Sequence, residues 1–234
     1  MLKRLGARPM RFARYTLVLA PLLLVAARCV ENESLYRDGS GNWVLVGEMY
    51  NDTGVQGAEM ILGATLFDGA GNALVSGQGP ICPAELSPNS LSSFEITFLN
   101  SASIPEPARH EFRVLNGKAL DSPLPKLDVI VSGLAATQSG DTVTLTGTIR
   151  ANRSYSGDFS GCAALYDGDG QVIRQITILG FGELPPSQNQ ELELPLLVVP
   201  DADVASVRFW LVGPGPAPFA SGYAAVVSDL VSVN

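Results

Sequence analysis

The phrase "ATLFDGAGNALV" at residues 64–75 returns about a hundred residues later as "AALYDGDGQVIR" at 163–174. It does not return alone. "WVLVGEMYN" (43–51) precedes the first phrase as "TVTLTGTIRAN" (142–152) precedes the second, with Gly47 matching Gly147. "ELSPNSLSSFEITF" (85–98) follows the first as "ELPPSQNQELELPL" (183–196) follows the second. "HEFRVLNG" (110–117) then matches "ASVRFWLVG" (205–213), pairing Arg113 with Arg208. Four blocks in the same order, with small gaps between them, mean an internal duplication. Its period is too long for a solenoid repeat and suits a whole β-sandwich domain.

Within each copy the apolar residues alternate. In "VTLTGTI", Val143, Leu145 and Gly147 point one way and the threonines the other. In "SFEITF", Phe94, Ile96 and Phe98 point inward, while Glu95 and Thr97 point to solvent. Period two with one apolar face predicts antiparallel sheet over a core. No mature stretch sustains a helical apolar period. "QSGD" (138–141) reads as a hairpin turn between two strands of the second copy. "AAVVSDLVSV" (224–233) resembles "LDVIVSGLAAT" (127–137), so each is expected to close or link a sandwich.

The amino terminus is an address. Residues 1–28 hold six of the 15 Lys and Arg and no acid, and residues 16–27 form an apolar run interrupted by Pro21. Polar sequence begins at Glu31. A basic region, a short apolar core and small residues at the cut make a secretory signal, helical while it is attached. The run is too short to span a bilayer, which needs about 20 residues. Val25-Ala26-Ala27 places cleavage after Ala27. Cys29 resembles the lipidated cysteine of a bacterial lipoprotein, although Arg28 stands where that pattern wants a small residue. Cleavage and lipidation both stay open.

From residue 29 onward the chain carries 9 basic and 23 acidic residues, a net charge of −14. Such a body repels the phosphate backbone of nucleic acids and anionic lipid surfaces. Membrane contact is therefore expected only through the signal or a lipid on Cys29. No Cys-x-x-Cys, phosphate loop or dinucleotide fingerprint occurs, and no cofactor is expected. The lone histidine, His110 beside Glu111, lacks the partners of a nucleophilic triad. Asp167 and Asp169 have the spacing that opens a calcium loop, but its twelfth position would be Ile178, and the first copy has Ala70 in place of Asp169. A hairpin turn explains both copies. The acids shared by the copies are Asp68/Asp167, Glu85/Glu183 and Glu95/Glu193. Trp43, Phe94, Phe98 and Trp210 fit a core better than a sugar platform. Asn32, Asn51 and Asn152 lie in glycosylation sequons. Cys82 and Cys162 do not occupy equivalent positions, and two sandwiches in tandem need not bring them together. Separate thiols are the expectation.

Three features resemble the FxLYD domain, a small extracytoplasmic β-sandwich module. They are the opening Gly47-Glu48-x-x-Asn51, the strand ending Leu-aromatic-Asp before a glycine turn, and the "L-x-P" loop before "FEITF". The motif maps onto Leu66, Phe67 and Asp68, and onto Leu165, Tyr166 and Asp167. Both copies put alanine at the motif's first position, and the first has Phe67 for its tyrosine. The resemblance implies Ig-like sandwiches in an exported or envelope protein, with no catalytic residues. The resulting expectation is all-β: a signal at 1–28, a first antiparallel sandwich at 29–122 and a second at 123–234. Its function is that of a non-enzymatic interaction module, secreted or in the cell envelope, whose partner is a protein or an envelope polymer. A carbohydrate- or ligand-binding accessory module is the alternative.

Overall fold

The computed structural model describes residues 30–199, 202–214 and 223–234, and every regular element among them is a β-strand. The expected signal and Cys29 lie outside the described residues. The first unit has six strands: β1 (Val30–Arg37), β2 (Trp43–Tyr50), β3 (Gln56–Phe67), β4 (Ala73–Cys82), β5 (Leu91–Phe98) and β6 (Arg109–Leu120). They run antiparallel in the order β1-β2-β5-β4-β3-β6. Strand β4 turns the corner. Its residues 73–80 pair with β3, whereas Ile81 and Cys82 pair with Phe94 and Ser93 of β5. The sheet therefore folds over itself and encloses Leu45, Leu62, Leu66, Phe94, Ile96 and Phe98.

The second unit repeats this plan. Strands β7 (Val129–Ser139), β8 (Thr142–Ala151) and β11 (Asn189–Leu197) make one layer, as β1, β2 and β5 do. Strands β9 (Phe159–Tyr166), β10 (Val172–Gly182) and β12 (Ser206–Val212) make the other, as β3, β4 and β6 do. Two short strands, β13 (Val226–Val227) and β14 (Val231–Ser232), add to the outer edge of β12. Val143, Leu145, Ala163, Leu165 and Phe209 lie in the enclosed core.

Gly47 and Gly147 match because both leave room for an inward side chain of a neighbouring strand. A Cβ on Gly47 would sit 2.8 Å from the Phe94 ring, and one on Gly147 would sit 2.7 Å from Leu134. The last strand is matched differently from the sequence reading. Phe112 lies opposite Ala64 and Phe209 opposite Ala163, so Arg113 corresponds to Trp210 rather than to Arg208.

The two sandwiches do not sit end to end. On β2, Trp43, Leu45 and Met49 point into the first core, while Val44 and Val46 point out against the second unit. On β9, Phe159, Ala163 and Leu165 point into the second core, while Cys162, Ala164 and Tyr166 point out against the first. Cys82, Val172, Trp210 and Val212 complete the buried part of this third core. Both strands are thus covered on both faces, which is why "WVLV" and "CAALY" are apolar at even and odd positions alike.

Candidate functional site: the junction of the units and an open apolar pocket

The motif residues divide by face. Leu66 and Leu165 are fully buried, one in each sandwich core. Asp68 and Asp167 hold the hairpin turns. Asp68 Oδ1 accepts the backbone N–H groups of Ala70 and Asn72 at 2.9 and 2.8 Å, and Asp167 Oδ1 accepts those of Asp169 and Gln171 at 3.0 and 2.8 Å. Hydrogen bonds from the Asn72 side chain and then its backbone hold the Asp68 carboxyl below its ordinary pKa. "DGSGN" at 38–42 makes the same turn a third time, with Asp38 Oδ1 accepting from Ser40 and Asn42. This third copy was in plain sight in the sequence, although the duplication does not include it. Among the described residues, no group of three or more His, Cys, Asp or Glu side chains is arranged to hold a metal.

The motif aromatics take opposite roles. Phe67 is half-buried on the outer face of the first unit, under the Arg109 guanidinium at 3.9 Å. Tyr166 faces the junction, and its hydroxyl donates to Glu48 Oε1 at 2.5 Å. Arg208 Nη1 reaches the same oxygen at 2.5 Å, and Asn32 Nδ2 donates to Oε2 at 2.7 Å. Glu48 is completely buried. Burial pushes the Tyr166 hydroxyl far above its ordinary pKa, and the Glu48 charge adds to the effect. The tyrosine therefore acts as a fixed donor.

A second contact stands beside it. The Arg174 guanidinium lies 3.6 Å from Glu95, whose carboxylate also accepts the Gln175 N–H at 3.4 Å. Burial raises the Glu95 pKa, and Arg174 opposes that rise. Glu95 was expected to face solvent. It points out of its own sandwich as alternation demands, but the second unit covers that face. Glu193 is exposed, Glu85 buried and Glu183 exposed, so the two shared glutamate pairs occupy unlike environments in the two copies, whereas Asp68 and Asp167 hold the same turn. Trp210 is buried in the junction and its indole N–H donates to the Leu91 carbonyl at 3.0 Å. Trp43, Phe94 and Phe98 are core residues, as expected.

Cys82 and Cys162 are bridged, with Cα atoms 6.1 Å apart. The expectation of separate thiols is overturned. It assumed that tandem sandwiches leave these positions apart, whereas the face-to-face packing lays the end of β4 against the middle of β9. The bridge joins the units, as its non-equivalent cysteines require.

His110 is half-buried rather than a free surface residue. Its Nε2 is 2.9 Å from Glu33 Oε1, and its ring stands edge-on to Phe112. Among the sequons, Asn51 is buried. Its amide donates to the carbonyls of Val55 and Leu86 at 2.8 and 2.9 Å, and its oxygen accepts from Thr53. The Asn32 amide serves Glu48, and the exposed Asn152 amide donates to Asp128.

One end of the first sandwich is open. A cavity of about 240 Å³ runs between the ends of β2, β3 and β6, lined by Met49, Gly57, Met60, Leu86, Val114 and Gly117. Asn51, Thr53 and Lys118 stand at its margin. The lining is almost entirely apolar, so the cavity suits a hydrocarbon or aromatic group better than a sugar. Sequence reasoning missed it because it is defined by what does not fill it. The same end of the second unit holds Phe159 in place of Met60, with the Tyr155 ring 5.3 Å from it.

No family matches the sequence, and no curated protein resembles it significantly. Among solved structures, a calcium-binding mutant of Bacteroides uniformis β-glucuronidase 2 is 10% identical with a TM-score of 0.27, covering 80% of this chain and 26% of that one. The BSP domain of a biofilm-associated protein is 14% identical with a TM-score of 0.21, covering 88% of this chain and 29% of that one. A Ruminococcus gnavus β-glucuronidase is 11% identical with a TM-score of 0.22, covering 82% of this chain and 34% of that one. This chain thus spans only about a quarter to a third of each. Scores this low carry no argument about what the protein does.

Proposed function

We propose that the protein is an exported or cell-envelope interaction module, non-enzymatic, built from two FxLYD-type sandwiches held as one rigid body. The observation that carries this reading is the bridge between Cys82 and Cys162, which joins the two units across an apolar junction. Disulfides persist in oxidising compartments, so the bridge supports export, in keeping with the signal-like residues 1–28. A rigid pair of sandwiches is a scaffold for presenting surfaces. The alternative of a ligand-binding accessory module draws support from the open cavity, whose apolar lining favours an aromatic or aliphatic ligand over a carbohydrate. Recovery of the native protein from outside the cytoplasm, with its mass and a pull-down from envelope extract, tests the proposal. Retention of residues 1–27 in a cytoplasmic protein with both cysteines reduced would sink it. A glycan-array hit lost on changing one exposed aromatic would favour a sugar-binding version of the alternative.

A further inference from the structure

The duplication supplies a comparison inside one molecule. In the second unit the outer edge of β12 is covered by the chain's last residues. Val226 and Val227 pair with Leu211 and Trp210, and Val231 and Ser232 pair with Val207 and Ser206. The tail also reaches the opposite layer, where the Asn234 N–H donates to Ala136 of β7 at 3.1 Å. It thereby closes the gap between the two layers. Tyr223, just before β13, lies against Tyr155 at 5.4 Å and helps fill that end of the sandwich. Under this cover Val207, Phe209 and Leu211 of β12 are all at most 1% exposed.

Among the described residues, no strand covers the first unit in this way. The segment that resembles the tail, residues 127–137, has been taken into the second unit as β7. Strand β6 pairs with β3 on one side, and among the described residues nothing pairs with it on the other. His110 meets Glu33 of β1 at one end of the gap. Beyond it the inward-facing Phe112 and Val114 stay half-buried, although their counterparts Phe209 and Leu211 are sealed. The open cavity lies along this same stretch, under Val114 and Gly117. Strand β6 also carries Arg109, Arg113 and Lys118; Arg109 is paired with Glu111 and Lys118 with Glu59 of β3, so among the described residues Arg113 is the cation of this strand without an ion pair.

We propose that the outer edge of β6, residues 112–119, accepts an extended peptide strand from a partner protein. The strand runs antiparallel to β6 and places an aromatic side chain in the apolar cavity. An open sheet edge offers unpaired backbone groups for such addition, and a pocket beside it supplies the specificity. The occupant has the chemistry of this chain's own tail: an aromatic residue, then β-branched residues, with a neutral to mildly acidic charge that suits Arg113. This inference rests on the interaction-module reading and names where that interaction occurs.

The probe is a labelled peptide with the sequence of residues 223–234, titrated into the full chain with its disulfide intact. Binding is followed by fluorescence anisotropy and mapped by backbone amide shifts. The expected result is saturable binding with shifts at 112–119 and those of β12 unchanged. Replacing the peptide's tyrosine (Tyr223→Ala) weakens binding about 30-fold, as loss of an anchoring aromatic does. Replacing a ladder residue (Val226→Pro) abolishes it, since proline cannot donate to a strand. These changes lie in the peptide, so the protein's fold is not at risk. No saturable binding, equal binding of the Tyr223→Ala peptide, or shifts on β12 from exchange with the resident tail would each overturn the proposal. Dimers formed by exchange of tails between two copies would overturn it in favour of self-association. A partner captured by the intact protein that leaves the β6 amides unshifted would keep the module reading and sink this one.

Discussion

Removing the Arg208 guanidinium while keeping its hydrocarbon bulk (Arg208→Met) tests what holds the junction. Glu48 is completely buried, with Val44, Val46, Cys162, Ala164 and Val212 in the same apolar contact region. One of its oxygens is shared by Arg208 and Tyr166, and the other is served by Asn32. Without the guanidinium the carboxylate keeps two neutral donors and no counter-charge. Breaking a buried pair in this way costs about 3–5 kcal/mol, a large part of the roughly 5–15 kcal/mol that a domain has. Glu48→Met alone strands the arginine, which is 17% exposed and can partly reach water, so its cost falls below that of Arg208→Met. The double variant removes both charges and fills the space with apolar atoms, so it recovers most of the loss. Urea unfolding followed by tryptophan fluorescence measures all four proteins, since Trp210 lies in the junction and Trp43 in the first core. The reasoning fails if Arg208→Met costs less than about 1 kcal/mol, or if the double variant is as unstable as the two single losses added.

The Cys82–Cys162 bridge closes a loop across 80 residues, and the chain-entropy model gives it about 4.5 kcal/mol; unfolding of Cys82→Ser/Cys162→Ser against the parent measures this, and thiol titration of the denatured, unreduced protein should find neither cysteine free. The Glu95 pKa is raised in the folded protein, so its favourable contribution is complete below the ordinary carboxylate value and is lost as pH rises through the folded one; stability measured from pH 4 to 7 should fall more steeply in the parent than in Glu95→Gln.

The sequence carried the strands, the turns and the duplication, because each depends on local pattern. Alternation told which side chains of β5 and β8 point inward, and Asp with Gly told where β3 gives way to β4. It did not reveal the junction. Alternation says that a strand has two faces and that one is apolar; it leaves unsaid what covers the other. The clue is present in β2 and β9, where both faces are apolar. The cysteines were misjudged for the same reason: spacing along the chain says nothing about the packing angle of two domains. Matching the blocks at 110–117 and 205–213 from their first residues pairs Arg113 with Arg208, two residues short of the register in which Phe112 matches Phe209. Two residues along a strand preserve the facing, so alternation could not catch the slip.

The junction is heterologous: the outer face of β1, β2 and β5 in one unit meets the outer face of β9, β10 and β12 in the next. Such contacts repeat without closing unless something stops them. Here the two end faces differ from the faces that meet at the junction. Where β2 offers Val44, Val46 and Glu48, β8 offers Thr144, Thr146 and Thr148. Where β9 offers Cys162, Ala164 and Tyr166, β3 offers Gly63, Thr65 and Phe67, with Leu115 packed over Gly63 and Arg109 over Phe67. The threonine face is polar, as are the outer faces that cap repeat stacks. The chain is therefore expected to remain a two-unit stack at high concentration. Thr144→Val with Thr146→Val restores the apolar pair of β2 on the far end face and should promote concentration-dependent association in sedimentation velocity. If the parent itself assembles into chains, or if the doubly substituted protein is no stickier than the parent, the threonine face is not what ends the stack.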